Sequence, residues 1–155
     1  MMKYLISIQY LGKNYSGFQI QQNGITIQQK LEEALMTALN QKVEVFASGR
    51  TDAGVNAICQ TAHFEAETTV PANKIPFAVN KFLPADIKIL SCKRVKNNFH
   101  ARFDVKKKTY VYNTYVSPIT LPICELTAYQ LKKMPNLEQM KLAAQKLVGE
   151  HNFKA

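Results

Sequence analysis

Between Tyr4 and Tyr10 the side chains alternate, with Tyr4, Ile6, Ile8 and Tyr10 on one side of the backbone and Leu5, Ser7 and Gln9 on the other. A period of two sends successive side chains to opposite faces, so this stretch predicts a strand with one face against a core. The period then changes. Thr26 and Gln29 stand at capping-box spacing, and Ile27, Leu31, Ala34, Leu35, Ala38 and Leu39 recur every three to four residues, which predicts an amphipathic helix over 26–40. Val43 to Phe46 predicts a short strand, and the β-branched and apolar run from Val55 to Glu65 predicts another. After Pro71, the spacing of Ile75, Ala78, Val79 and Phe82 predicts a second helix running to Leu83-Pro84; Pro76 falls in its first turn, where a missing N–H costs little. Ile87 to Val95 reads as a fourth strand. A longer strand is expected from about Ala101, through Lys106–Lys108, into Tyr110, Tyr112, Thr114 and Val116.

The order β-α-β-β-α-β is that of a ferredoxin-like, split βαβ antiparallel sheet with both helices on one face, an α+β fold. Pro118 and Pro122 interrupt the chain, and residues 117–135 read as a loop. Asn136 opens a last helix with Leu137, Met140, Ala144, Leu147 and Val148 on its apolar side, closed by Gly149 at the C-cap. Residues 1–155 are thus expected to form one lobe, with a core over about 1–116, the loop at 117–135 and the helix at 136–149.

Composition narrows the function. The 46% hydrophobic and 20% charged make-up of the 155 residues is that of a globular protein with a sizeable core. No apolar run approaches the roughly 18 residues of a membrane span, and no signal-peptide pattern opens the chain, so the cytoplasm is the expected compartment and no membrane partner is expected. Cys59, Cys92 and Cys124 are scattered and odd in number, and His63, His100 and His151 are equally dispersed, so neither a disulfide framework nor a metal site is expected.

Twenty Lys and Arg against eleven Asp and Glu give a formal charge of +9, the footprint of a protein that approaches a polyanion, with nucleic acid the leading partner class. A general lysine bias produces the same excess. Arginine is confined to Arg50, Arg94 and Arg102, and its retention there points to a need for a planar, always-charged fork.

One of those arginines lies in the stretch Phe46-Ala-Ser-Gly-Arg50-Thr-Asp52-Ala-Gly54-Val-Asn56. Gly49 and Gly54 permit sharp turns on either side of the charged pair. An Asp with an ordinary pKa of ~3.9 is ionised at neutral pH, and a neighbouring guanidinium keeps it so, which suits a nucleophile or charge stabiliser. The plain alternative is a surface connection in which Thr51 or Asp52 caps a turn and Arg50 makes an exposed ion pair. The loop after the first strand interleaves Lys13, Tyr15 and Phe18 with Gly12, Asn14, Ser16 and Gly17, a mixture suited to RNA contacts or to an ordinary surface loop. A non-catalytic RNA-binding module on a ferredoxin-like sheet would stack bases on strand aromatics. The nearest candidate for that signature, Phe99-His-Ala-Arg-Phe103, lacks its glycines.

Gly49-Arg-Thr-Asp-Ala-Gly-Val55 resembles the active-site motif of the TruA family of tRNA pseudouridine synthases. Further segments match in family order: Tyr10-x-Gly12-x-x-Tyr15-x-Gly17-Phe18-Gln19-x-Gln21, Gln28-x-Lys30-Leu31-Glu32-x-Ala34-Leu35, His63-Phe64, Asn80-x-x-Leu83-Pro84-x-Asp86-Ile87, Phe99-His-Ala-Arg102-Phe103 and Tyr110-x-Tyr112. The resemblance covers nearly the whole chain. It implies a cofactor-independent isomerase that converts uridine to pseudouridine in the anticodon arm of tRNA, dimeric in its full-length form.

By the same resemblance, Asp52 matches the nucleophile, whether it attacks base or sugar. Arg50 matches the arginine paired with it that helps extrude the nucleotide, and Tyr110 the tyrosine that lies against the flipped base. Asn56 stands where the family most often has histidine, Phe18 where tryptophan is common and Leu11 where aspartate is common. Family members also carry a second lobe after the helix ending at Gly149, so the expectation is an N-terminal half with little or no activity alone.

Overall fold

The computed structural model describes residues 1–153 and contains two compact units, one over Met1–Thr109 and a second that begins at Tyr110. In the first unit β1 (Met2–Tyr10), α1 (Ile27–Leu39), β2 (Phe46–Ala47), β3 (Ala57–Ala66), α2 (Ile75–Val79) and β4 (Ile87–Val95) follow in order, with a short 3₁₀ turn at Ala72–Lys74 before α2. The sheet order is β2-β3-β1-β4 and every neighbouring pair is antiparallel, which is the ferredoxin-like arrangement.

The period-two pattern is realised directly. Tyr4, Ile6, Ile8 and Tyr10 of β1, Phe64 of β3 and Ile87 and Ile89 of β4 are buried in one core with Ile27, Leu31 and Leu35 of α1 and Ile75 and Val79 of α2. Each fully buried Leu or Ile contributes about 1.5–3 kcal/mol of transfer free energy, so the α1 stripe, more than its helix propensity, holds the helix to the sheet. Thr26 caps α1 by accepting from the Gln29 amide at 3.3 Å, while the Gln29 side chain turns to Glu33, so half of the capping box forms. Asn40 ends the helix in the left-handed region at φ 52°.

Two bulges shape the sheet. Ile8 pairs with Gln60 but Tyr10 with Ala57, leaving an extra residue in β3; Ser7 pairs with Ser91 but Ile8 with Ile89, leaving Leu90 extra in β4. Bulges bend a strand and re-aim the residues on either side, and the first lies directly after the loop carrying Asp52. Asn80 clamps the end of α2 to the sheet, donating to the Ile89 carbonyl and accepting from the Ile89 amide, each at 2.9 Å.

Several elements differ from expectation. The second helix ends at Val79 rather than Leu83, and Phe82 is exposed, because Pro84 and the Asn80 clamp draw the chain towards β4. The long strand expected from Ala101 is absent as such. Residues 100–104 form a turn in which Phe103 and Asp104 both donate to the His100 carbonyl, and, among the described residues, 105–113 belong to no strand, the Asn113 carbonyl alone accepting from the Tyr129 amide, at 2.7 Å. Alternation makes an extended backbone plausible, but without a neighbour to bond its amides it is not a strand.

In the second unit, β5 (Thr114–Val116) pairs in parallel with β6 (Tyr129–Leu131), which lies inside the segment read as a loop. There α3 (Leu137–Gln145) begins where expected, Asn136 Oδ1 accepting from the Gln139 amide at 3.0 Å. It gives way to i→i+3 turns at Lys146–Val148 before Gly149, whose φ is +118°. No helix among the described residues is long and apolar enough to cross a membrane.

Candidate active site

Asp52 lies in the connection between β2 and β3, and the sequence around it leaves that connection little freedom. The loop after β1 folds against it. Thr51 accepts through its carbonyl from the Phe18 amide at 3.0 Å, and its hydroxyl meets the Tyr10 phenol at 2.8 Å. Asn56 Oδ1 accepts from the Gly12 amide at 2.7 Å, Gly54 donates to the Tyr15 carbonyl at 3.4 Å, and Gln60 Nε2 donates to the Gly49 carbonyl. Within the loop the Val55 amide donates to the Asp52 carbonyl at 3.2 Å, closing one tight turn that carries Gly54 at φ +78°.

The glycines of the preceding loop allow this contact. A Cβ on Gly12 would lie 2.2 Å from the Val55 carbonyl oxygen, and one on Gly17 2.8 Å from that of Thr51. Gly49 serves differently from the sharp turn expected of it: its backbone needs no positive φ, and a Cβ there would meet the Lys108 ammonium at 2.9 Å.

Tyr15 and Phe18, which the sequence offers as RNA-contacting aromatics, are buried instead. Phe18 packs beside Tyr10, with ring centroids 6.2 Å apart. Tyr15 donates its hydroxyl to Asp86 at 2.6 Å, and Asp86 also accepts from Asn14 at 3.2 Å, so the start of β4 tethers the loop after β1. Burial, and secondly the bond and charge of Asp86, hold the Tyr15 phenol far above its usual range; burial raises that of Tyr10 despite its bond to Thr51. Both phenols are neutral supports.

A second support fixes the turn after β4. His63 is buried, its Nδ1 accepting from the Ala101 amide at 3.1 Å, which places the ring proton on Nε2. The ring stacks on Phe46 at 5.1 Å and lies edge-on to His100 at 4.6 Å. Burial, then the nearby His100 and Lys3, bring its pKa down to about 4.

Of the three sequence-derived site residues, Asp52 and Arg50 share this pinned loop and both are exposed, yet no ion pair joins them among the described residues. The pairing expected of them is not formed. Tyr110 is the first residue of the second unit and is 72% exposed. The supports Tyr10, Thr51, Asn56, Gln60 and Asp86 are not legible as such, because side-chain to backbone bonds between distant segments leave no periodic signal. No group of three His, Cys, Asp or Glu suited to a metal occurs among the described residues.

The fold and this loop together define an α+β domain that presents one exposed carboxylate, with an arginine two residues before it, from a rigid strand connection. Residues 6–104 match the model of a family described as tRNA pseudouridine synthase. The chain is 37% identical over 155 residues to "tRNA pseudouridine synthase A" of Thermoanaerobacter sp. (strain X514), covering 100% of this chain and 64% of that protein. It is 41% identical over 152 residues to "tRNA pseudouridine synthase A 2" of Clostridium tetani, covering 97% and 61%. With "tRNA pseudouridine synthase A" of Francisella tularensis subsp. holarctica it is 39% identical over 153 residues, covering 99% and 59%. The chain belongs to the tRNA pseudouridine synthase family, and it spans less than two thirds of the length of these curated relatives.

Proposed function

We propose that this protein contributes the nucleophile-bearing lobe of an enzyme that isomerises uridine to pseudouridine in the anticodon arm of tRNA, in the cytoplasm, as a homodimer and without a cofactor. The observation that carries the reading is the presentation of Asp52: an exposed carboxylate whose backbone is fixed by hydrogen bonds to β1, to the loop after it and to β3. A nucleophile that need not be ordered at the moment of reaction starts with part of its entropic cost already met.

In the reaction the N1–C1′ bond of uridine breaks, the base turns, and a C5–C1′ bond forms; C5 loses its proton and N1 gains one. Asp52 is the nucleophile, at the base or at the sugar. Arg50, free of any ion pair with Asp52 here, is available to fill the stack left by the extruded nucleotide or to bind its phosphate. Tyr110 is the aromatic face for the flipped base, and the +9 charge draws the polyanion in.

Release of tritium from tRNA labelled at uracil C5 tests the reading. The full-length enzyme that carries this lobe is expected to release label in proportion to pseudouridine formed, and the 155-residue chain alone little or none. Salt-sensitive tRNA binding with no release by the full-length protein would leave a passive RNA-binding module in its place.

A further inference from the structure

At the end of the sheet away from Asp52, the last residues of β4 and the turn after it enclose an open cavity of about 800 Å³ lined by Lys93, Arg94, Lys96, Asn97, Asn98 and Asp104, among others. Arg94 pairs with Tyr4 across β1, whereas the Asp52 loop bonds to Tyr10. Six residues of strand separate those two points, or about 20 Å. The cavity is therefore not an extension of the candidate active site.

Its floor is held in place. Lys3 donates to the Phe99 carbonyl at 2.9 Å and pairs with Glu65 at 3.1 Å, Phe99 donates to the Lys96 carbonyl at 3.0 Å, and Asp104 accepts from the His100 amide at 2.7 Å. The side chains of Lys93, Arg94 and Lys96 make no ion pair or hydrogen bond among the described residues. Three uncommitted cations thus line the same cavity as two asparagines and one carboxylate that is already engaged. Arg94 is also one of only three arginines in a chain whose other basic residues are lysines.

We propose that this cavity is a second anion site that binds backbone phosphates of the RNA whose uridine lies at Asp52, an inference that rests on the function proposed above. Phosphodiester oxygens match the chemistry on offer: ammonium and guanidinium groups for charge, and amides for oxygens or 2′-hydroxyls. Because the two sites stand about 20 Å apart along the strand direction, a nucleoside or dinucleotide cannot occupy both. A folded RNA can, so the cavity favours a folded tRNA over a dinucleotide.

The test compares wild type, the triple variant Lys93→Gln, Arg94→Gln, Lys96→Gln, and a control triple variant Lys42→Gln, Lys74→Gln, Lys81→Gln of equal charge loss. Binding of intact tRNA is titrated against salt, and affinity for a uridine-containing dinucleotide is measured alongside, with thermal unfolding as a check on folding. The cavity variant is expected to lower the steepness of log K against log salt by about two to three and to shrink the preference for intact tRNA over the dinucleotide. The control is expected to change both less. A charge-retaining Lys93→Arg, Lys96→Arg variant should keep the wild-type slope. Equal slope changes in the two triple variants would reduce the effect to net charge and overturn the site. So would an unchanged slope in a cavity variant whose wild-type parent still binds inorganic tripolyphosphate there, which would leave only a small-anion site. A wild-type protein that binds no tRNA at all would instead overturn the proposed function itself.

Discussion

Gly12→Ala and Gly54→Ala together separate the support of the Asp52 loop from its stability. A Cβ on Gly12 would sit 2.2 Å from the Val55 carbonyl oxygen, 2.6 Å from its carbon and 2.7 Å from the Gly54 carbonyl carbon, all of them backbone. To reach the 3.4 Å of ordinary contact, the Asp52 loop must retreat by about 1.2 Å from the loop after β1. Overpacking of this kind costs about 1–3 kcal/mol, and a displacement of about 1 Å at a reacting group costs about 100-fold in rate. On Gly54 a Cβ meets nothing within 4 Å, but φ +78° is strained for an alanine, at a cost of roughly 1–2 kcal/mol. The two variants should therefore lose comparable stability in urea denaturation, while turnover of the full-length enzyme measured below both transitions falls about 100-fold for Gly12→Ala and little for Gly54→Ala. Full turnover in Gly12→Ala, or equal losses in both, would refute the claim that contact between the two loops sets the position of Asp52.

Two further perturbations address the supports. His63 keeps a neutral ring in the folded state, with a pKa of about 4 against the usual 6.5, whereas the unfolded chain takes up the proton at the ordinary value. Its contribution is intact above pH 6.5 and is lost as pH falls towards 4, by at most about 3 kcal/mol. Urea midpoints across that window should fall more steeply for wild type than for His63→Gln, and parallel profiles would count against the neutral buried ring. Tyr10→Phe removes the 2.8 Å bond to Thr51 while keeping the ring against Phe18; it should cost about 1 kcal/mol of stability and lower turnover. A variant as stable and active as wild type would show that this bond does not hold the loop.

The fold was legible where side chains repeat. Alternation in β1, the apolar stripe of α1 and the run of β4 each follow from burying one face, and the element order then leaves a single familiar sheet. Residues 105–113 misled because alternation records which side chains match, not whether a neighbouring strand exists to accept the backbone bonds. β6 escaped notice because three residues are too few to establish a period.

The candidate site was legible as a motif rather than as an architecture. Gly49, Arg50 and Asp52 stand out by residue type, but Tyr15 and Phe18 read as exposed when they are the buried struts beneath them. Asn56, a departure from the family's histidine, accepts the Gly12 amide and so joins the two loops. A histidine nitrogen can accept the same bond, so the departure leaves a local means of attachment intact.

The central claim, that Asp52 is the nucleophile held by this loop, is tested most directly by Asp52→Asn. The substitution keeps the side chain's shape and removes its charge from an exposed position, so folding and tRNA binding should match wild type. In the full-length enzyme, tritium release from C5-labelled tRNA under single-turnover conditions is expected to disappear. Release at an undiminished rate by the properly folded, tRNA-bound variant would contradict the account.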